Sequence, residues 1–283
     1  MAEAAEAAAA PDEEAPSAPS AEEAPLLEQL KANLAQELAE EPGASFPELT
    51  GDVRLLRFLR SRDCQVGEAA ALFRAHLAWR KEHGVDAIRQ RIVDEKMPLD
   101  WAAFPRGAEV ERHFPNVLHA GFSAHGHLIQ LDNMGLVEPE GILGTQEGAV
   151  GTEAFDHAFI HMLEIRNKLH DDLSRETGKM IRTCQIRDLE QVGVAMVSKA
   201  NMAFSKRLVN LSQDNYPESM AKIVFVNAGT IFSMVMAVMR PILTERTCAR
   251  LRQRCTPSPC ARADCAARLG SPLQALAVPR AQH

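Results

Sequence analysis

Between Ile223 and Met239 the chain runs for seventeen residues without a single charge. A bilayer span needs about 20 apolar residues, and Asn227, Thr230 and Ser233 interrupt this one, so it does not read as a membrane crossing. Gly229 divides it. Ile223–Val226 has the composition of a strand, and Thr230 to Met239 that of a helix bearing Ile231, Phe232, Met234, Val235, Met236, Val238 and Met239. A helix that is apolar all round must meet apolar surroundings on both faces. Either it is buried in a core, or it is a movable cover over a lipid-sized cavity. The second role suits Met, whose unbranched, polarizable side chain repacks against alternative partners.

The remainder must supply what such a helix packs against. Of 283 residues, 46% are apolar and 24% charged. The net charge of −7 excludes a general phosphate-backbone binder, which carries a basic excess. Residues 1–25 hold seven acids and no base among Ala and Pro, and are expected to be disordered. This stretch has neither the basic region nor the apolar core of a secretory signal. Seven Arg crowd residues 244–283. Cys64 and Cys184 stand alone in the body, while Cys248, Cys255, Cys260 and Cys265 lack paired zinc spacing, so a reducing compartment is expected.

Leu27, Leu30, Leu34 and Leu38 fall at helical spacing, Asp52 is placed to cap a helix through Arg60, and Val66–His83 forms a third helix stopped by Gly84. After Pro98 the texture changes. Val117–Phe122 and His127–Asp132 read as a hairpin. Phe155 to Leu173 is a helix, Ile181–Ile186 a strand, and Val194 to Leu211 a helix. Strands separated by helices imply at least part of a parallel sheet with helices packed on it. Enzyme signatures are missing: no P-loop, G-x-G-x-x-G, G-x-S-x-G or H-E-x-x-H occurs. His157 and His161, four apart on one helix, lack a third metal ligand. Asp132 and Asp171-Asp172 read as solvated acids at element ends.

The order of motifs resembles the CRAL-TRIO lipid-transfer family, which includes phosphatidylinositol/phosphatidylcholine transfer proteins. Leu55-Leu56-Arg57-Phe58-Leu59-Arg60-Ser61-Arg62, then Phe73 and Trp79-Arg80-Lys81, resemble its N-terminal helical module. Gly126-His127-Leu128-Ile129 is similar to its Asp-Gly-Arg-Pro-Val strand, and Cys184-Gln185-Ile186-Arg187-Asp188-Leu189 to its strand ending in Asp-Leu. Ser212 through Glu218, Val226-Asn227-Ala228 and Arg240-Pro241-Ile242-Leu243 resemble its Tyr-Pro-Glu, Asn-Ala-Pro and Lys-Pro-Phe-Leu signatures. The resemblance implies an α/β fold: an all-helical module (residues 26–97), then a lipid-binding domain (98–250). In that domain a mixed, largely parallel sheet floors a pocket beneath the Thr230–Met239 gate. It also implies a non-catalytic carrier, without cofactor or metal, that holds one phospholipid as a cytoplasmic monomer docking transiently and peripherally on membranes, with no nucleic-acid partner.

Position by position, the resemblance assigns Arg62, Glu218, Thr247 and Arg250 to an inositol phosphate headgroup. It assigns Gln130, Thr183, Gln185 and Ser212 to a choline-type pocket, although the aromatic face that attracts a choline cation is gone. Phe232, Val235, Met236 and Met239 belong to the gate and acyl pocket. Ser219 replaces the family's usual Arg, and Arg250 keeps a Lys charge in a different geometry. The alternative function is a sensor or carrier of a small terpenoid- or retinoid-like ligand presented to a partner protein. From 251 to 283 the chain departs from the family into Arg-, Cys-, Ala- and Pro-rich sequence. It is expected to be disordered, leaving the sheet edge unpaired.

Overall fold

A computed structural model describes residues 15–40, 46–193, 198–228, 232–240 and 248–253. The N-terminal half is helical. α1 (Glu23–Asn33), α2 (Ala35–Ala39), α3 (Pro47–Thr50), α4 (Asp52–Ser61) and α5 (Val66–Glu82) are followed by α6 (Val85–Glu95) and α7 (Gly107–His113). Leu27, Leu30 and Leu34 pack on Leu55, Leu56, Phe58, Leu59 and Phe73, closing a small core between α1, α4 and α5. Gly84 takes φ +61 between α5 and α6, a left-handed turn that glycine adopts at little cost. Asp52 does not cap α4. Gly51 holds the cap position, and the Asp52 carboxylate pairs with Lys31 at 2.7 Å.

The second half alternates strand and helix. β1 (Asn116–Val117) and β2 (Leu128–Asn133) form the expected hairpin, antiparallel, around Gly126 at φ +85. α8 (Pro139–Leu143) and the long α9 (Thr152–Thr177) lead to β3 (Thr183–Asp188). α10 (Lys199–Asn215) leads to β4 (Met220–Val226), and α11 (Phe232–Met239) precedes β5 (Leu251–Gln253). The sheet order is β1-β2-β3-β4-β5, with β2 through β5 parallel. This is the mixed, largely parallel sheet that strand–helix alternation requires.

Three further expectations change. The N-terminal segment is not disordered throughout: the Met180 amide donates to Ala15 O at 2.7 Å, the Ser17 amide to Gly178 O at 3.0 Å, and Arg60 Nη1 to Pro16 O at 2.8 Å. Its Ala and Pro side chains have little to bury, and backbone hydrogen bonds hold it instead. At the other end, Leu251–Gln253 is a strand paired in parallel with β4, so the edge is covered over three residues despite the arginine-rich composition. Residues 1–14 and 254–283 lie outside the described residues. The third concerns Asp171, read as a solvated acid. It is fully buried, and its carboxylate accepts from Arg54 Nε at 2.8 Å and Arg57 Nε at 2.9 Å, tying α4 to α9.

A cavity floored by the sheet

A cavity of about 630 Å³ opens between the sheet, α9, α10 and α11. Its floor follows from register. Gln130, Gln185, Ile223 and Leu251 lie side by side across β2 to β5, and Asp132, Arg187 and Phe225 form the next row. Because side chains alternate along a strand, these rows project to the same face. The floor is therefore polar under β2 and β3 and apolar under β4 and β5. Phe159 and Met162 of α9, Phe204 and Leu208 of α10, and Met236 of α11 supply apolar walls. Phe232 packs on Phe225 with ring centroids 5.2 Å apart, which seats α11 against the apolar half.

At the N-terminal ends of β3 and β4 stands Glu218, held at φ +56 between Pro217 and Ser219. Its Oε2 accepts from Arg182 at 3.0 Å and Arg250 at 2.7 Å. Arg57 Nη1 donates to its carbonyl at 3.0 Å and Arg57 Nη2 to Ile181 O at 2.8 Å, so one side chain of the helical module fixes both the Glu218 loop and the entry to β3. Arg62, at the C-terminal cap of α4, lines the same cavity, as do Ser212 and Arg250. Asp63 and Glu68, also lining it, are solvent-exposed.

Of the residues assigned by resemblance, Arg62, Glu218, Arg250, Gln130, Gln185, Ser212 and Met236 come together around this one cavity. Thr183 does not. It is fully buried at the start of β3, where His170 Nε2 of α9 meets its hydroxyl at 2.9 Å. Phe232 lies behind the wall, in the apolar cluster with Leu189 and Phe225. Thr247 and the side chains of Val235 and Met239 lie outside the described residues. No group of three or more potential ligands around His157 and His161, or elsewhere, could hold a metal among the described residues. The His161 ring instead meets the His157 carbonyl at 2.8 Å.

The sequence reading missed the ionic part of the floor. Asp132, taken for a solvated acid, is buried: Gln130 Nε2 donates to it at 2.8 Å, Gln185 Nε2 donates as well, and Arg187 Nε stands 3.4 Å away. Burial raises its pKa, opposed by Arg187 and Gln130. Arg166, on α9 and 2% exposed, donates from Nη1 to Gln130 Oε1 at 3.0 Å, and burial lowers its pKa to about 10. The signal was present as alternation of polar residues in β2 and β3, but Arg166 enters from a helix 36 residues on.

A model of the CRAL/TRIO domain matches residues 112–253, half of the chain. Among known proteins, the chain is 26% identical over 194 residues to "Protein real-time" of Aedes aegypti, covering 68% of this chain and 27% of that protein. It is 27% identical over 222 residues to the "SEC14 cytosolic factor" of Candida glabrata, covering 77% and 68%. It is 28% identical over 198 residues to Patellin-4 of Arabidopsis thaliana, covering 69% and 32%. The chain thus spans about a quarter of the length of the insect relative. The crystal structure of Sfh5 superposes with a TM-score of 0.59 at 16% identity, covering 82% of this chain and 79% of that one. No helix among the described residues is long and apolar enough to cross a membrane. With the family match spanning the cavity's sheet, α9, α10 and α11, the chain belongs to the CRAL/TRIO domain family.

Proposed function

We propose that this chain binds one lipid molecule in the sheet-floored cavity and exchanges it between membranes, with a phosphate-bearing headgroup of the phosphatidylinositol class at the Glu218 end. The observation that carries this is an apolar-walled cavity ending at Glu218, whose carboxylate is held by two buried arginines. Arg182 and Arg250 both hold Glu218, and Arg62 adds a further guanidinium. An anionic phosphate is best recognised by such donors. The physics of exchange is simple. Each CH₂ taken from a bilayer into water costs about 0.8 kcal/mol, and an apolar cavity removes most of that barrier. The polar residues at the Glu218 end are suited to orient a headgroup, as a carrier needs.

A second reading has its own support. A volume of about 630 Å³ falls within the range of sites for small hydrophobic ligands, as a carrier of a terpenoid- or retinoid-like molecule would need. Mass spectrometry of the intact protein and of its organic extract separates the two. A one-to-one phospholipid supports the first, and a phosphorus-free ligand supports the second. Vesicle-to-vesicle transfer of labelled phosphatidylinositol then tests exchange, and a protein that loads the lipid without moving it would reduce the role to binding.

A further inference from the structure

The floor beneath β2 and β3 holds more donors than the protein satisfies. Arg166 lines the cavity at 2% exposure, and its Nε has no hydrogen-bond partner among the described residues. Arg187, 22% exposed, is ion-paired with Asp132 Oδ2 at 3.4 Å, and its buried Nε makes no well-aligned hydrogen bond. Asp132 is the carboxylate within this cluster, already engaged by Gln130 and Gln185, so two guanidiniums face one acid. Unpaired buried donors are costly, and native proteins retain few of them without a partner from elsewhere. What the cluster lacks is an acceptor.

This site is separate from the Glu218 end. Arg182 immediately precedes β3 and Arg187 is its fifth residue, so their backbones stand about 16 Å from each other at the usual strand rise. A quaternary ammonium has no acceptor oxygen, so the unused donors call for an anionic group rather than an ammonium. We propose that the sheet floor is a second subsite that receives the acid group of a single-chain anionic amphiphile, of which a long-chain carboxylate is the simplest. Arg166 Nε donates to the acid oxygen, Arg187 neutralises it, and the chain runs along Ile223, Phe225 and Met236 toward α11. The proposal rests on the cavity being a lipid site but not on phosphatidylinositol being its ligand.

The test uses the full chain, equilibrated with neutral phosphatidylcholine vesicles carrying traces of either radiolabelled oleate or oleyl alcohol. These probes share a chain and differ in their polar end. At mildly alkaline pH the wild-type protein should retain oleate about ten-fold better, the discrimination expected of a charge-assisted hydrogen bond. Arg166→Met should bring the two retentions together. Equal retention by the wild type overturns the proposal whether or not that variant folds, and an undiminished preference in Arg166→Met overturns the role of Arg166. A protein that transfers phosphatidylinositol yet ignores the oleate carboxylate refutes this subsite alone. One that prefers oleate but transfers no phospholipid refutes the proposed function alone.

Discussion

Two ionic clusters touch α9: one centres on Asp171, and the other, around Asp132 of β2, is reached by Arg166 five residues earlier on the helix. At Asp171, both carboxylate oxygens and most guanidinium donors are used: Arg54 and Arg57 reach the acid, and Arg57 also donates to the Ser174 hydroxyl and to the Ile181 and Glu218 carbonyls. At Asp132, the acid is engaged but Arg166 and Arg187 each retain an unused Nε. The first cluster is closed, and it joins the helical module to the sheet domain. The second is open on the side of the cavity. A saturated buried network specifies structure, whereas an unsaturated one facing a cavity is suited to recognition.

The hardest test of that contrast is to break each acid. Asp171→Ala strands two buried guanidiniums and should cost about 3–5 kcal/mol. Asp132→Asn should cost about 1–3 kcal/mol, because Arg187 is partly exposed and can turn toward water. Urea denaturation measures both, and similar losses would erase the distinction between the two clusters. Next, Phe232→Asp should abolish lipid loading in native mass spectrometry, since an unpaired carboxylate cannot pack against Phe225. Loading that persists would remove α11 from the cavity wall.

Smaller effects sharpen the picture. Glu218→Ala removes the carboxylate that positions Arg182 and Arg250, and should lower phosphatidylinositol uptake more than phosphatidylcholine uptake in a vesicle assay. Equal losses would make Glu218 purely structural. The smallest effect is a pH slope. His76 is buried among Phe58, Phe73, Trp79 and Tyr216, and burial first, then the Arg80 charge, lower its pKa from 6.5 to about 3. Between those values the unfolded chain binds the proton and the native one does not, so stability falls as pH drops through that window. His76→Phe should flatten the dependence of Tm on pH there. An unchanged slope would mean that other buried groups, such as His170, carry it.

The elements were legible wherever a residue pattern was local. The apolar run ending at Met239, the spacing of Leu27, Leu30 and Leu34, and the strand–helix alternation after Pro98 each yielded an observed element. α6 and α7 escaped because Val85, Ile88, Ile92 and Val110 take their meaning from Trp101, Phe114 and α9, which bury them. The ionic clusters escaped for a related reason: Arg54 is 117 residues from Asp171, and no periodicity links them. β5 was hidden because a parallel edge strand is held by backbone hydrogen bonds, which side-chain composition does not report. The cavity residues came from resemblance; of those among the described residues, Thr183, whose hydroxyl is claimed by His170, and Phe232, which stands behind the wall, do not line the cavity, and Thr247 and the side chains of Val235 and Met239 lie outside the described residues.

The short bridge between Ala15–Ser17 and Gly178–Met180 has a consequence for how the two ends of the molecule communicate. The same few residues that receive this strap continue into Ile181 and Arg182, the first gripped by Arg57 and the second by Glu218. A protease that trims the chain only up to residue 14 leaves every one of these bonds in place. A cut a few residues further on removes the strap and loosens the lead-in to β3 from one side, so an N-terminal nick is transmitted to the Glu218 end of the cavity as lost rigidity.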